Sequence, residues 1–200
     1  MKPKKVPGIP SQMKGSFHDT ESVQKINDGQ EIELKFNILK ERFFEINKWG
    51  NYCKTSPVEF NLCDSSGKTV HRLPQIGDYV KILLTKINNP KIEDYQWVRI
   101  DMIDLSNPNR LMIQCRPSKL PGNEFAGRII HFYSAVSTST FVISKGKDYI
   151  KMAIYGRNEI ANKNTGFLES IKNVFIAFGG MVGSSKIQWK CLADGLINAK

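Results

Sequence analysis

The stretch STFVISKGKDYIKMAIYGRNE, Ser139 to Glu159, constrains the fold more than any other part of this chain. Two apolar-rich runs flank the turn Lys145-Gly146-Lys147-Asp148, and in the second run Ile150, Met152 and Ile154 alternate with Tyr149, Lys151 and Tyr155. That period of two is what a strand shows when one face meets the core and the other meets water. A short glycine-bearing turn brings the chain back antiparallel. A lone hairpin is marginal in water, so further strands must complete its sheet.

The preceding segments supply them. Val58, Phe60 and Leu62 alternate before the turn DSSGK; Val80, Ile82 and Leu84 follow IGD; Val98, Ile100 and Met102 alternate with Arg99 and Asp101; and Leu111, Ile113 and Cys115 end at Arg116-Pro117. The segment GRIIHFYSAV, residues 127–136, reads as a further strand. No helical pattern separates these runs, so neighbours pair antiparallel in a sheet of about seven or eight strands.

The flanks have a different period. Ile32, Leu34, Phe36 and Ile38 alternate with polar residues and predict a strand, after which Leu39, Phe43 and Ile46 recur at helical spacing up to Trp49-Gly50. Near the C-terminus Phe167, Ile171, Val174, Phe175, Phe178 and Val182 form one stripe that Ile187, Leu192 and Leu196 extend. This predicts a long helix, with Asn164-Thr165 as its cap and Glu169 in its first turn. Residues 1–28 carry three prolines and little apolar periodicity, and predict an extended basic arm.

The C-terminal stripe contains FIAFGGMVG, Phe175 to Gly183. Its glycines do not have the G-x-x-x-x-G-K-[ST] spacing with which backbone amides and a lysine cradle phosphate, nor the dinucleotide pattern GxGxxG. Between Lys172 and Lys186 the apolar run is too short for the roughly 20 residues that a membrane-spanning helix needs. Gly179 and Gly183, four apart, share a helix face with Phe175 and let a neighbouring backbone or a bound molecule come close.

The order strand, helix, antiparallel strands and long C-terminal helix, over about residues 30 to 200, resembles the helix-grip architecture of the START and Bet v 1-like superfamily. The segments IGDYVKI, YQWVRIDMI, TSTFVIS and YGRNE are also similar to those of bacterial proteins with no assigned activity. The resemblance implies an α+β fold, a curved antiparallel sheet of about seven strands around the last helix, with residues 29–200 as one domain behind the arm of residues 1–28. It also implies a cavity for an apolar small molecule or lipid-like ligand. Its lining would be Phe36, Phe60, Ile100, Phe141, Ile143, Met152, Ile154, Phe175, Phe178, Gly179, Val182 and Gly183, residues that equally suit a solid core.

Nothing in the chain forms a catalytic or metal-binding pattern. The three histidines, His18, His71 and His131, lie outside H-E-x-x-H and away from any G-x-S-x-G turn, and His131 reads as a structural or surface histidine, with a base facing a cavity as the alternative. The pairs Arg99 with Asp101 and Arg157 with Glu159 have the chemistry of acid or base groups in a pocket, but their alternation along strands predicts a wet face or surface ion pairs. Cys53, Cys63, Cys115 and Cys191 form no CxxC pair, and a chain of 200 residues needs no disulfide staple, so a reducing cytoplasm is the expected compartment. The net charge of +10 suits an anionic partner, with Lys2, Lys4, Lys5 and Lys14 of the arm as polyanion contacts and Tyr95, Trp97, Tyr149 and Tyr155 as stacking residues. The chain therefore reads as a cytoplasmic, non-catalytic binding protein without cofactor or metal. The alternatives are a basic structural or adaptor component of a protein assembly, or a polyanion (nucleic acid) binder.

Overall fold

The computed structural model describes residues 2–53, 58–83, 95–122, 127–162 and 184–198. Strand β1 is Ser16–Lys25, helix α1 is Gly29–Phe44, and a 3-10 turn over Ile46–Lys48 leads into the single helical turn α2, Trp49–Tyr52. Six strands follow: β2 (Glu59–Cys63), β3 (Tyr79–Leu83), β4 (Tyr95–Asn107), β5 (Arg110–Pro117), β6 (Thr138–Lys145) and β7 (Tyr149–Glu159). Helix α3, Ser184–Asn198, closes the described chain. The sheet runs β1-β7-β6-β5-β4-β3-β2, antiparallel at every pairing, and with its C-terminal helix it has the α+β helix-grip arrangement.

The expected arm over residues 1–28 is replaced by an edge strand and a strap. In β1 the positions that turn inward are His18, Thr20 and Ser22, all buried, so the strand lacks the aliphatic alternation that advertises one. Residues 2–15 lie along the sheet's outer face. Arg157 Nη2 donates to the Lys4 carbonyl (2.9 Å), Arg110 Nη2 to the Pro7 carbonyl (2.6 Å), and the Asn158 amide to Gln12 Oε1 (2.9 Å). Val6 and Ile9 pack there on Met112, Val142, Ala153 and Tyr155.

Residues 32–38 are helix, not strand. Asp28 caps α1 by accepting from the Glu31 amide (2.8 Å), and the buried side chains are Ile32, Phe36, Leu39 and Phe43, spaced four, three and four apart. Leu34, which a strand would have buried, is 62% exposed. Charged residues at Glu31, Glu33 and Lys35 gave an apparent period of two, but the cap and the longer stripe decide for the helix. The short α2 then seats Trp49 in the core, its Nε1 donating to the Arg42 and Phe43 carbonyls (3.2 Å each).

Two further expectations change. Residues 127–136 form no strand beyond one bridge, Tyr133 to Ala161, because their backbone groups divide between two partners. The Ile130 carbonyl accepts from the Trp97 amide and its amide donates to the Ser118 carbonyl, while the Phe132 carbonyl accepts from the Asn162 amide. In β4 the register shifts between Ile100 and Met102, so Met102 joins the outer cluster while Ile103 takes the inward place.

The core lies between the inner face of the sheet and the helices. Leu192, Ala193, Leu196 and Ile197 of α3 join Phe36, Leu39 and Phe43 of α1 and the inward residues of β2 to β7 in one cluster. At Gly195, α3 sits directly on the Tyr52 carbonyl of α2, where a Cβ would overlap it. Beside that contact Cys53 and Cys191 are joined by a disulfide, with Cα atoms 5.2 Å apart. No pairing was expected from the sequence: the partners are 138 residues apart, and only folding brings α2 and α3 together.

Candidate functional site

Strand alternation turns one nearly continuous apolar face toward the helices: Phe60 on β2, Ile82 on β3, Ile100 on β4, Ile113 on β5, Phe141 and Ile143 on β6, and Met152 and Ile154 on β7. Trp49 holds its middle, its ring centroid 4.9 Å from Phe141 and 5.6 Å from Phe60, and Trp189 of α3 meets Phe141 edge-on at 5.4 Å. Of the predicted lining, Phe36, Phe60, Ile100, Phe141, Ile143, Met152 and Ile154 all lie in this single buried cluster. Phe175, Phe178, Gly179, Val182 and Gly183, with the rest of FIAFGGMVG, lie outside the described residues, as do Leu84 and the expected cap at Asn164-Thr165.

At one edge the inner face becomes polar. Ser22 of β1 hydrogen-bonds Asp194 and accepts from Lys190 Nζ (3.0 Å), which fixes α3 on β1 and shows that Ser22 points inward. His18, four residues earlier on the same strand, faces the same way opposite Gly156. Its Nδ1 lies 2.7 Å from Glu159 Oε1, and both side chains are almost fully buried. Ser16 Oγ donates to the carboxylate's other oxygen at 3.3 Å. Gly156 makes this possible: a Cβ there would overlap both His18 Nδ1 and Glu159 Oε1. Sequence reading missed His18 because it lay in the supposed arm, and it placed Glu159 on a wet face.

The outer face holds a second buried charge. Arg157, also expected in water, is 1% exposed; it donates to the carbonyls of His18 (3.1 Å), Gly156 (2.7 Å) and Lys4 (2.9 Å) and lies 2.7 Å from Asp19 Oδ1. The strap covers it and forms a concavity of about 640 Å³ around it, lined by Lys2, Lys4 and Lys5 among others. Lys2, Lys4, Lys5 and Lys14 are exposed, with Lys4 Nζ 2.6 Å from Glu21. Glu21 is buried enough to raise its pKa, but the hydrogen bonds from Lys4 and Tyr155 prevail and hold it below the usual carboxylate value.

The stacking candidates separate. Trp97 and Tyr155 are buried, the Tyr155 hydroxyl donating to Glu21 (2.7 Å), whereas Tyr95 lies under the Lys81 ammonium at 4.7 Å and Tyr149 under that of Lys25 at 5.7 Å. On the same outer face Asp101 bridges Arg99 (3.1 Å) and Arg116 (2.9 Å), a partly exposed ion-pair row as expected, beside a cleft of about 440 Å³. His131 does not serve as a base near neutral pH. Burial pushes its pKa down to about 3, its Nδ1 accepts from the Tyr133 amide (2.9 Å), and its ring stacks on Phe132. The Cys63 and Cys115 thiols are free and buried, and burial raises both pKa values. Among the described residues no group of His, Cys, Asp and Glu is placed to hold a metal, and no helix is long and apolar enough to cross a membrane.

No family model and no curated protein matches the sequence. Solved structures do match in shape. A hypothetical protein from Helicobacter pylori aligns over 96% of this chain and 98% of its own with a TM-score of 0.51 and 11% identity, which extends to the fold alone. A major latex-like protein from Panax ginseng (14% identity, 82% and 97% covered, TM-score 0.37) and a Streptomyces aromatase/cyclase (9% identity, 90% and 94% covered, TM-score 0.43) are also similar.

Proposed function

We propose that this protein is a non-catalytic binder of an apolar small molecule or lipid-like ligand, held against the inner face of the sheet. The observation that carries the reading is the wall formed by β3, β4 and β5. Val80, Ile82, Val98, Ile100, Ile113 and Cys115 line it with apolar groups, Gln96 of β4 opposite Ile82 being a buried polar residue that accepts from the Phe132 amide, while α1, α2 and α3 pack chiefly on β1, β2, β6 and β7. A broad apolar wall with few polar groups at its margin is the usual construction of a small-molecule site. Phe60, Phe141, Ile143, Met152 and Ile154 continue that wall along the sheet, Phe36 of α1 joins the same cluster from the helix layer, and Phe175, Phe178, Gly179, Val182 and Gly183 would close it on the helix side.

A cytoplasmic location belongs to this reading, and it requires the Cys53–Cys191 bond to be open in the cell or to resist cellular reductant. Alkylation of the freshly lysed producing cell, followed by a non-reducing gel, reports which holds. Native mass spectrometry after gentle purification tests the ligand: a co-purifying apolar mass is expected, and Ile100→Trp, which fills the wall, should reduce its occupancy. A protein that carries no such mass, binds no anilinonaphthalene sulfonate and is retained on heparin in a salt-sensitive way would instead be a polyanion binder.

A further inference from the structure

We propose that His18 and Glu159 form the polar anchor of this site, and that the ligand carries an alcohol or phenol hydroxyl whose hydrogen His18 Nε2 accepts. The inference rests on the apolar-site reading and specifies its ligand.

The chemistry follows from the pair itself. An ionised carboxylate accepts hydrogen bonds and donates none, so Glu159, 2.7 Å from Nδ1, holds the Nδ1 hydrogen, and in the neutral imidazole that tautomer has its lone pair, the acceptor, on Nε2. His18 is 2% exposed, and Nε2 is buried with no hydrogen-bond partner. Buried polar atoms are almost always paired, and an orphaned acceptor on the inner face calls for a donor from outside the described side chains. A ketone, ether or ester has no hydrogen to give, and a carboxylate would meet the charge of Glu159. A hydroxyl on an otherwise apolar body meets the acceptor while the body lies along the adjoining inner face of β7 and β6, at Ile154 and Phe141.

The backbone is shaped around this pair. Asn158 stands at φ 55, and the β1–β7 register shifts between Ser16 and His18. Arg157 keeps the outer place that alternation from Gly156 gives it, and the irregularity returns Glu159 to the inner face opposite Ser16. Bulges commonly re-aim a side chain beside a functional site. Asn158 is the one non-glycine residue with positive φ among the described residues, and its Oδ1 is fixed by the Met13 amide (2.8 Å). Gly156 opposite leaves the room that any side chain would remove.

Naphthol and its methyl ether, methoxynaphthalene, share the apolar ring system and differ in the hydroxyl hydrogen. Titrated into the full chain labelled with nitrogen-15 histidine, naphthol should bind about tenfold more tightly, which is about 1.4 kcal/mol. It alone should move the His18 Nε2 resonance. His18→Phe should bring the two affinities together; should that variant fail to fold, the Nε2 shift in the wild-type protein decides by itself. Equal affinities in the wild type with Nε2 unmoved would overturn the anchor and leave the apolar site standing. If neither probe binds, the apolar site itself falls, and the anchor with it.

Discussion

Arg157→Met tests whether the outer face is held by one buried charge. The guanidinium touches Asp19 at 2.7 Å without hydrogen-bond alignment, so the contact is an ion pair, and three carbonyls take its aligned donors. Removing the cation leaves Asp19, whose side chain is 9% exposed, as an uncompensated carboxylate. Breaking a buried pair from one side costs about 3 to 5 kcal/mol. In a chain of 200 residues, where each kcal/mol moves the midpoint by roughly 2–4 °C, that is a fall of about 6–20 °C in Tm. The strap also loses its bond at the Lys4 carbonyl, so trypsin should cut faster after the exposed Lys5 and Lys14. Adding Asp19→Asn removes the stranded charge and should recover about half of the lost stability. Urea melts of the single and double variants measure both steps. A loss below about 1 kcal/mol for Arg157→Met, or unchanged cleavage of the strap, would refute the assignment of Arg157 as the residue that fastens it.

Gly195→Ala should cost about 3 kcal/mol, because the new methyl meets the Tyr52 carbonyl and α3 must lift from α2; a thermal melt reads this directly. Opening Cys53–Cys191 frees a loop of 138 residues in the unfolded chain, worth up to about 5 kcal/mol by chain entropy, and urea melts with and without reductant measure it. Iodoacetamide should leave the native protein unmodified, since Cys63 and Cys115 are buried with raised pKa values, and intact mass checks the count. Acid should act through His131. The unfolded chain binds a proton near pH 6.5 while the folded chain resists until about 3, so stability is full above that window and falls by about 1.4 kcal/mol per pH unit as pH drops through it. His131→Asn, which can still accept from the Tyr133 amide, should flatten that slope.

The strands were legible where one face is aliphatic and the other is not. Phe60 and Leu62, Val80 and Ile82, Leu111 and Ile113, and the hairpin from Phe141 to Ile154 all turn inward as their alternation required. The helix α1 was misread over four residues of coincidental alternation, although Asp28 with Glu31 three residues on was a cap signal. The disulfide, the Met102 bulge and the backbone of residues 127–136 depend on contacts between distant segments. No local pattern carries them, and only assembly of the sheet decides them.

The failure at β1 is of another kind, because the same residues hid the strand and mark the site. An inner face of His18, Thr20 and Ser22 gives no hydrophobic period, and a fold seeking only stability would place aliphatic residues there. Each of these polar groups must be paired or it destabilises the core. Ser22 is paired with α3, and His18 is paired on one nitrogen only. Gly156 is a second departure, since glycine within a strand weakens it unless something needs the space. Local rules broken together at one place, by a histidine, a glycine and a positive-φ asparagine, are what a site imposes on a scaffold. The outer face, with Arg157 bonded to three carbonyls and paired with Asp19 beneath its strap, breaks the rule of exposed charge, but its partners are the chain's own, and so it reads as a fastening. Arg157 outside has three carbonyls and a counter-ion, whereas His18 Nε2 inside has no partner beside an apolar face, where a ligand's hydroxyl would complete its bonding.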